Sequence, residues 1–122
     1  MSYESLTIYG KQCNHRPDEL RVIGDVVYNV VPDHCYIPNN LYVTGSLKCM
    51  NKVMRCEYDV IIRGTLTLPE GTMLQSNENV YINVLDGHGG TIKAKNIYIK
   101  KMLGHHVHLD GQVHLDGQVH MT

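Results

Sequence analysis

Residues Leu41-Tyr42-Val43-Thr44-Gly45-Ser46-Leu47 alternate apolar and polar side chains, with a glycine near the end of the run. Such a period of two belongs to a strand, because successive side chains leave a pleated backbone on opposite faces. Leu41, Val43, Gly45 and Leu47 therefore share one face. The same form stands 21 residues earlier, at Leu20-Arg21-Val22-Ile23-Gly24-Asp25-Val26, and 19 residues later, at Val60-Ile61-Ile62-Arg63-Gly64-Thr65-Leu66. Val80-Tyr81-Ile82-Asn83-Val84-Leu85-Asp86 follows after 20 more, and Ile97-Tyr98-Ile99-Lys100-Lys101-Met102-Leu103 after 17. These two keep the alternating start and lose the glycine. Leu115 lies a further 18 residues on.

A recurrence of about twenty residues is too short for a pair of helices and suits one coil of a stacked β structure. The expected fold is all-β: a single-stranded β-solenoid (β-helix) with coils of about 17–21 residues, of either hand, stacked at roughly 4.8 Å. The inward glycine would let the chain bend, or let backbones approach, at a corner. Pro17-Asp18-Glu19, Pro38-Asn39-Asn40, Pro69-Glu70-Gly71 and Asp86-Gly87-His88-Gly89-Gly90 mark the turns between runs. Lys48 to Tyr58 is the one stretch with a helix-like stripe (Met50, Val53, Met54), and it is read as strand or irregular. The layout is one domain over 1–122: an N-terminal cap or first coil at 1–18, repeat coils at 19–103, and a hexapeptide-like coil at 104–122.

Bulk properties agree. A chain of 122 residues fits one domain, and a net charge of -1 points neither to disorder nor to a polyanion binder. Trp and Phe are absent, so the core must come from Val, Ile, Leu, Met and Tyr, which are strand-prone. Cys13, Cys35, Cys49 and Cys56 form no C-x-x-C pair, and the first ten residues do not read as a signal peptide. Reduced thiols in a cytoplasmic protein are expected, and no membrane span.

Pro17-Asp18-Glu19-Leu20-Arg21-Val22-Ile23-Gly24-Asp25-Val26 and Ile37-Pro38-Asn39-Asn40-Leu41-Tyr42-Val43-Thr44-Gly45-Ser46-Leu47 resemble the L-P-x-x-L-x-V-x-G-x-L-x-L repeats of β-solenoid proteins of bacteria and their phages. The likeness covers 17–68 closely and 69–103 loosely. It implies the fold and not an activity. The C-terminal tract, Val107-His108-Leu109-Asp110-Gly111-Gln112 repeated unchanged over 113–118, looks like the short repeats at the tips of phage tail spikes. That second likeness implies intertwined trimers and H-x-H metal pairs.

Three sets of side chains are candidates for function. Tyr42, Tyr81 and Tyr98 stand second in their runs and would form one outward tyrosine ladder, a partner-binding surface. His108, His114 and His120 recur every six residues, outward on successive faces, and are candidates for self-association. Val107, Leu109, Val113, Leu115, Val119 and Met121 would face inward. His106 and His108 could hold a transition metal only where several chains meet, as in a trimer, because a metal needs ligands about 2 Å from one point. No other cofactor is expected. Asp110 and Asp116 could pair with His114 or His120 as acid and base, but no nucleophile or oxyanion donor accompanies them. His88 is read as a loop residue. Lys93, Lys95, Lys100 and Lys101 are read as a solvated outer face and not as a nucleic-acid site.

The expected function is therefore non-enzymatic. The chain would bind a protein partner or its own copies as a homo-oligomer, for instance as a phage-encoded accessory protein that engages a host factor in the host cytoplasm. The alternatives are a trimeric spike-like or filament component with a histidine metal site, and an enzyme acting at a subunit interface in the manner of hexapeptide acyltransferases.

Overall fold

The computed structural model describes residues 7–8, 11–12, 19–23, 26–28, 34–37, 40–49, 53–115 and 119–120, with side chains at 37, 40–48, 53–103 and 106–115. Among these residues twelve strands run in order: β1 (Thr7–Ile8), β2 (Lys11–Gln12), β3 (Glu19–Ile23), β4 (Val26–Tyr28), β5 (His34–Ile37), β6 (Asn40–Val43), β7 (Leu47–Cys49), β8 (Val53–Cys56), β9 (Val60–Pro69), β10 (Met73–Ser76), β11 (Asn79–Leu115) and β12 (Val119–His120). No helix occurs among the described residues.

The strands assemble into three parallel ladders that the chain visits in turn. The first joins β3, β6 and the starts of β9 and β11, through Leu20↔Leu41, Leu41↔Val60 and Val60↔Val80. The second joins β4, β7, the end of β9 and the next part of β11, through Val26↔Leu47, Leu47↔Leu66 and Leu85↔Leu66. The third joins β5, β8, β10 and β11, through Cys35↔Met54, Leu74↔Met54 and Leu74↔Ile92. Paired residues lie 17–21 apart in sequence. The chain is a β-solenoid, with the coil length that the repeat predicts.

The interior is built by columns of like residues. Leu41, Val60, Val80 and Ile97 are fully buried, as are Leu47, Leu66 and Leu85, and Met54, Leu74 and Ile92. Each apolar side chain covers the one in the coil before it, so burial is continuous along the axis although each coil is one chain thick. Cys56 is buried and in no disulfide. The expectation for 48–58 holds where the structure describes it, since Val53–Cys56 is strand.

The repeat glycine acts by close approach. The Gly64 N–H donates to the Gly45 carbonyl at 2.8 Å, and a Cβ on Gly64 would stand 2.5 Å from that oxygen. Beside it the Thr65 N–H donates to Ser46 Oγ at 2.9 Å. The next coil dispenses with this corner. Register shifts between Ile82 and Val84, so that Val84 faces Thr65 and Leu85 faces Leu66. The glycine there is deleted and not replaced. Asp86 to Gly90 is not the simple turn its composition suggests: Asp86 and Gly87 stay in the second ladder, opposite Thr67 and Leu68, and the bend falls at His88 and Gly89, both opposite Pro69.

The two ends are treated differently. At the N-terminal end β1 and β2 run antiparallel to β4 and β3, through Ile8↔Val26 and Gln12↔Val22. Most of 1–18 lies outside the described residues. At the other end β12 continues the second ladder in parallel, Met102↔Val119 and Leu103↔His120. Val107 and Leu109 are half-buried against the core, as their inward position predicts. Val113 and Leu115 are not enclosed: they are 37% and 49% exposed. Their places in the alternation are inward, but no further coil lies over them among the described residues.

Candidate functional site

The outward side of the first ladder carries the largest ordered array of aromatic side chains among the described residues. Tyr81 and Tyr98 stack with ring centroids 4.8 Å apart and planes 6° from parallel. His114 stacks on Tyr98 at 4.5 Å and 12°. The spacing is that of neighbouring strands, so equivalent outward positions in successive coils bring flat rings into contact. One sequence expectation is adjusted here. Tyr42 shares the column but does not join the stack, because its partner in the next coil is Ile61, which in turn faces Tyr81. His114, a candidate for self-association, is the third ring of the stripe. This also shortens the last step: His114 lies over Tyr98, so Leu115 continues the line of Ile99 and not that of Ile97.

Beside the stripe runs an open groove of about 510 Å³. Ile61, Tyr81 and Tyr98 form one wall, and Arg63, Asn83 and Lys100 the other. The two rows are outward positions two residues apart on the same strands, so they stand side by side on one face with the groove between them. Arg63, Asn83 and Lys100 are exposed. The register shift that removes the corner glycine falls beside Arg63 and Asn83, at the margin of this groove. Burial pushes the Tyr81 phenol above its ordinary value, with further upward contributions from the Asp59 charge and from Tyr98; a hydrogen bond with Asn79 opposes the rise. The phenol thus stays protonated at neutral pH and can donate to a bound group.

A polar ladder holds the corner that leads into this face. The Asp59 N–H donates to Asn40 Oδ1 at 2.9 Å, and the Asn79 N–H to Asp59 Oδ1 at 3.1 Å. Asn96 Nδ2 donates to Asn79 Oδ1 at 3.0 Å, and His114 Nε2 lies 3.2 Å from Asn96 Oδ1. Every coil from the second onward is tied to the next at one place, which fixes the rings' register. Replacing Asp59 by alanine is expected to cost about 1–2 kcal/mol by stranding the Asn79 N–H, whereas Asp59→Asn keeps the acceptor and should cost less than about half of that. Urea unfolding of the two variants side by side measures the difference.

The remaining candidates are dispersed. His106 and His108 are both exposed, and His120 pairs with Leu103 in the second ladder, its side chain outside the described set. No three His, Cys, Asp or Glu side chains converge within one chain among the described residues. His88 Nε2 lies 3.0 Å from Asp86 Oδ1 at an exposed corner. The lysines do not form one patch: Lys93 stands in the third ladder opposite Gln75, Lys95 pairs with Glu78 at 3.5 Å, and Lys100 lines the groove. No helix among the described residues is long and apolar enough to cross a membrane.

Comparison of the chain with protein-family models, with curated proteins and with solved structures finds no match in any of the three.

Proposed function

We propose that this β-solenoid is a non-enzymatic interaction protein that binds a protein partner through its first face, as a phage-encoded accessory protein engaging a host factor would. The observation that supports this is the groove walled by Ile61 and the stacked Tyr81 and Tyr98 on one side and by Arg63 and Lys100 on the other. Its chemistry is that of contact: rigid rings that lose little entropy on binding, with cations at the rim. A partner that fits would insert an apolar or aromatic side chain between the walls and place a carboxylate near Arg63 or Lys100.

Capture from extract of the cells that make the protein, with the bait left untagged at its C-terminus, tests the reading. The intact chain should recover one protein in near-equal amount. The double variant Tyr81→Ala/Tyr98→Ala should bind it at least about 30-fold more weakly, the effect of losing two central tyrosines, while its circular dichroism stays that of the parent. Tyr42→Ala, outside the stack, should change affinity by less than about threefold, corresponding to under 1 kcal/mol. Equal recovery by the double variant would remove the first face as the binding surface.

A further inference from the structure

On the reading that the first face binds a protein partner, on which this step rests, we infer that the groove takes an acidic, extended segment of that partner. The segment lies along the solenoid axis, with carboxylates at alternate positions on Arg63 and Lys100.

The ring stack decides which part of each tyrosine a ligand meets. Tyr98 has Tyr81 stacked on one face and His114 on the other. Tyr81 has Tyr98 on one face, and Ile61 is its neighbour in the coil before. The rings therefore turn their edges to the groove. An aromatic face is the negative part of the ring's quadrupole and the edge is the positive part. A cation or a stacking nucleobase needs the face, and both faces of Tyr98 are already taken. The edges favour a negative group instead.

The opposite row carries charge of the same sign. Arg63 and Lys100 are exposed and form no ion pair with a carboxylate among the described residues, whereas Lys95 at the corner is paired with Glu78. Lys101, next in the chain after Lys100, is exposed as well. No Asp or Glu lines the groove. Asp59, whose charge reaches Tyr81, stands two positions before Ile61, on the side of the stack away from Arg63, and its Oδ1 accepts the Asn79 N–H. A chain with a net charge of -1 thus gathers uncompensated positive charge at its aromatic groove. Such charge selects an anionic partner.

Spacing narrows the class of anion. Arg63 and Lys100 stand two coils apart on one row, roughly 9.6 Å between backbones at strand spacing. With the neutral Asn83 between them they do not converge on one point, as recognition of a single phosphate requires. They suit two separate single charges on a line. In an extended chain alternate residues point to one side about 6.8 Å apart, and the long arms of Arg63 and Lys100 close the difference. The residue between the carboxylates then turns to Ile61 and the ring edges, and the Asn83 amide can pair with the segment's backbone. A helix, about 10–12 Å across, is too wide to enter between rows that stand about 6.8 Å apart.

Poly-L-glutamate, a chain of carboxylates at neutral pH, is the probe. Titrated into the isotope-labelled full chain, it should shift the amide resonances of 61–63, 81–83 and 98–100 more than those of 73–75 and 91–93, and less so as salt is added. Arg63→Glu/Lys100→Glu should weaken binding at least about tenfold. Arg63→Gln/Lys100→Gln should weaken it by a smaller factor, and it keeps the comparison open if the reversed pair does not fold. Lys48→Glu/Lys93→Glu makes the same change in net charge on the second and third ladders, and should alter affinity less than about threefold. Equal weakening by the two reversed pairs, or an oligothymidylate of matching length that shifts the same amides at lower concentration, would overturn the inference. So would the absence of shifts at the groove. If that absence comes with a captured partner still lost in Tyr81→Ala/Tyr98→Ala, the acidic segment falls and the first face stands; equal capture by that double variant removes the face itself.

Discussion

Leu66→Ala is expected to lower the stability of this chain by about 2–5 kcal/mol. Leu66 is fully buried between Leu47 in the preceding coil and Leu85 in the following one. Truncation removes transfer free energy and leaves a void. Closing the void would require the two neighbouring coils to approach, but ladder hydrogen bonding already holds them at strand spacing. The site is thus of the kind that cannot collapse. Because each coil touches only its neighbours, the weakened layer also divides the rod near its middle, and cooperativity should suffer along with stability. Domains of this size are held by only about 5–15 kcal/mol, so the variant should melt roughly 10 °C lower or more, with a broader urea transition. Leu103→Ala supplies the contrast: the same truncation at a side chain 40% exposed on the outer surface should cost less than about 1 kcal/mol. Equal losses at the two positions would mean that the leucine columns are not what holds the coils together.

The same columns explain why the fold was legible and where the legibility stopped. Leu41, Val60 and Val80 announce a stacked position because burial in a one-chain-thick coil demands the same kind of residue every turn. Corners impose no such demand. They need only bring the chain round, and a coil can do so with Gly64 or with one residue fewer at Asn83. A gapless alignment therefore set Val84 against Gly64, where the structure sets Val84 opposite Thr65. The Asp86–Gly90 run misled for a related reason: glycines read as a turn, yet Gly87 is buried in the ladder and only part of the run bends.

The functional face was legible by half. Tyr81 and Tyr98 share a repeat position, and that alone placed them together. Tyr42 shares it too, but stacking is a nearest-neighbour interaction, and Ile61 separates Tyr42 from the others. His114 was visible as a member of a histidine series. Its role as the third ring depends on a coil only sixteen residues long between it and Tyr98, which no motif signals. The groove arises between two outward rows that stand side by side, so it has no sequence signature beyond Arg63, Asn83 and Lys100 lying two residues from Ile61, Tyr81 and Tyr98.

The unchanged repetition of Val-His-Leu-Asp-Gly-Gln could reflect duplication alone, but one of its members has no freedom to vary. Gly111 has φ +145, a conformation that side chains other than glycine's rarely adopt, and a Cβ there would run into the Ala94 carbonyl oxygen. The interior line that leads to it shrinks coil by coil, from Ile37 to Cys56, Ser76 and Ala94, and ends where no side chain fits. Alanine at 111 would meet both a strained backbone and a backbone oxygen that cannot move without breaking the third ladder, a combined cost of roughly 3 kcal/mol or more. That cost falls on one coil. The expected result of Gly111→Ala is therefore local: amides of 106–115 should lose protection from hydrogen exchange by about 100-fold or more, while those of 60–99 keep theirs. The His114 ring should leave Tyr98 with the coil that carries it. If the amides of 106–115 stay protected in Gly111→Ala, the last coil does not depend on that close approach, and duplication becomes the sufficient account of the repeat.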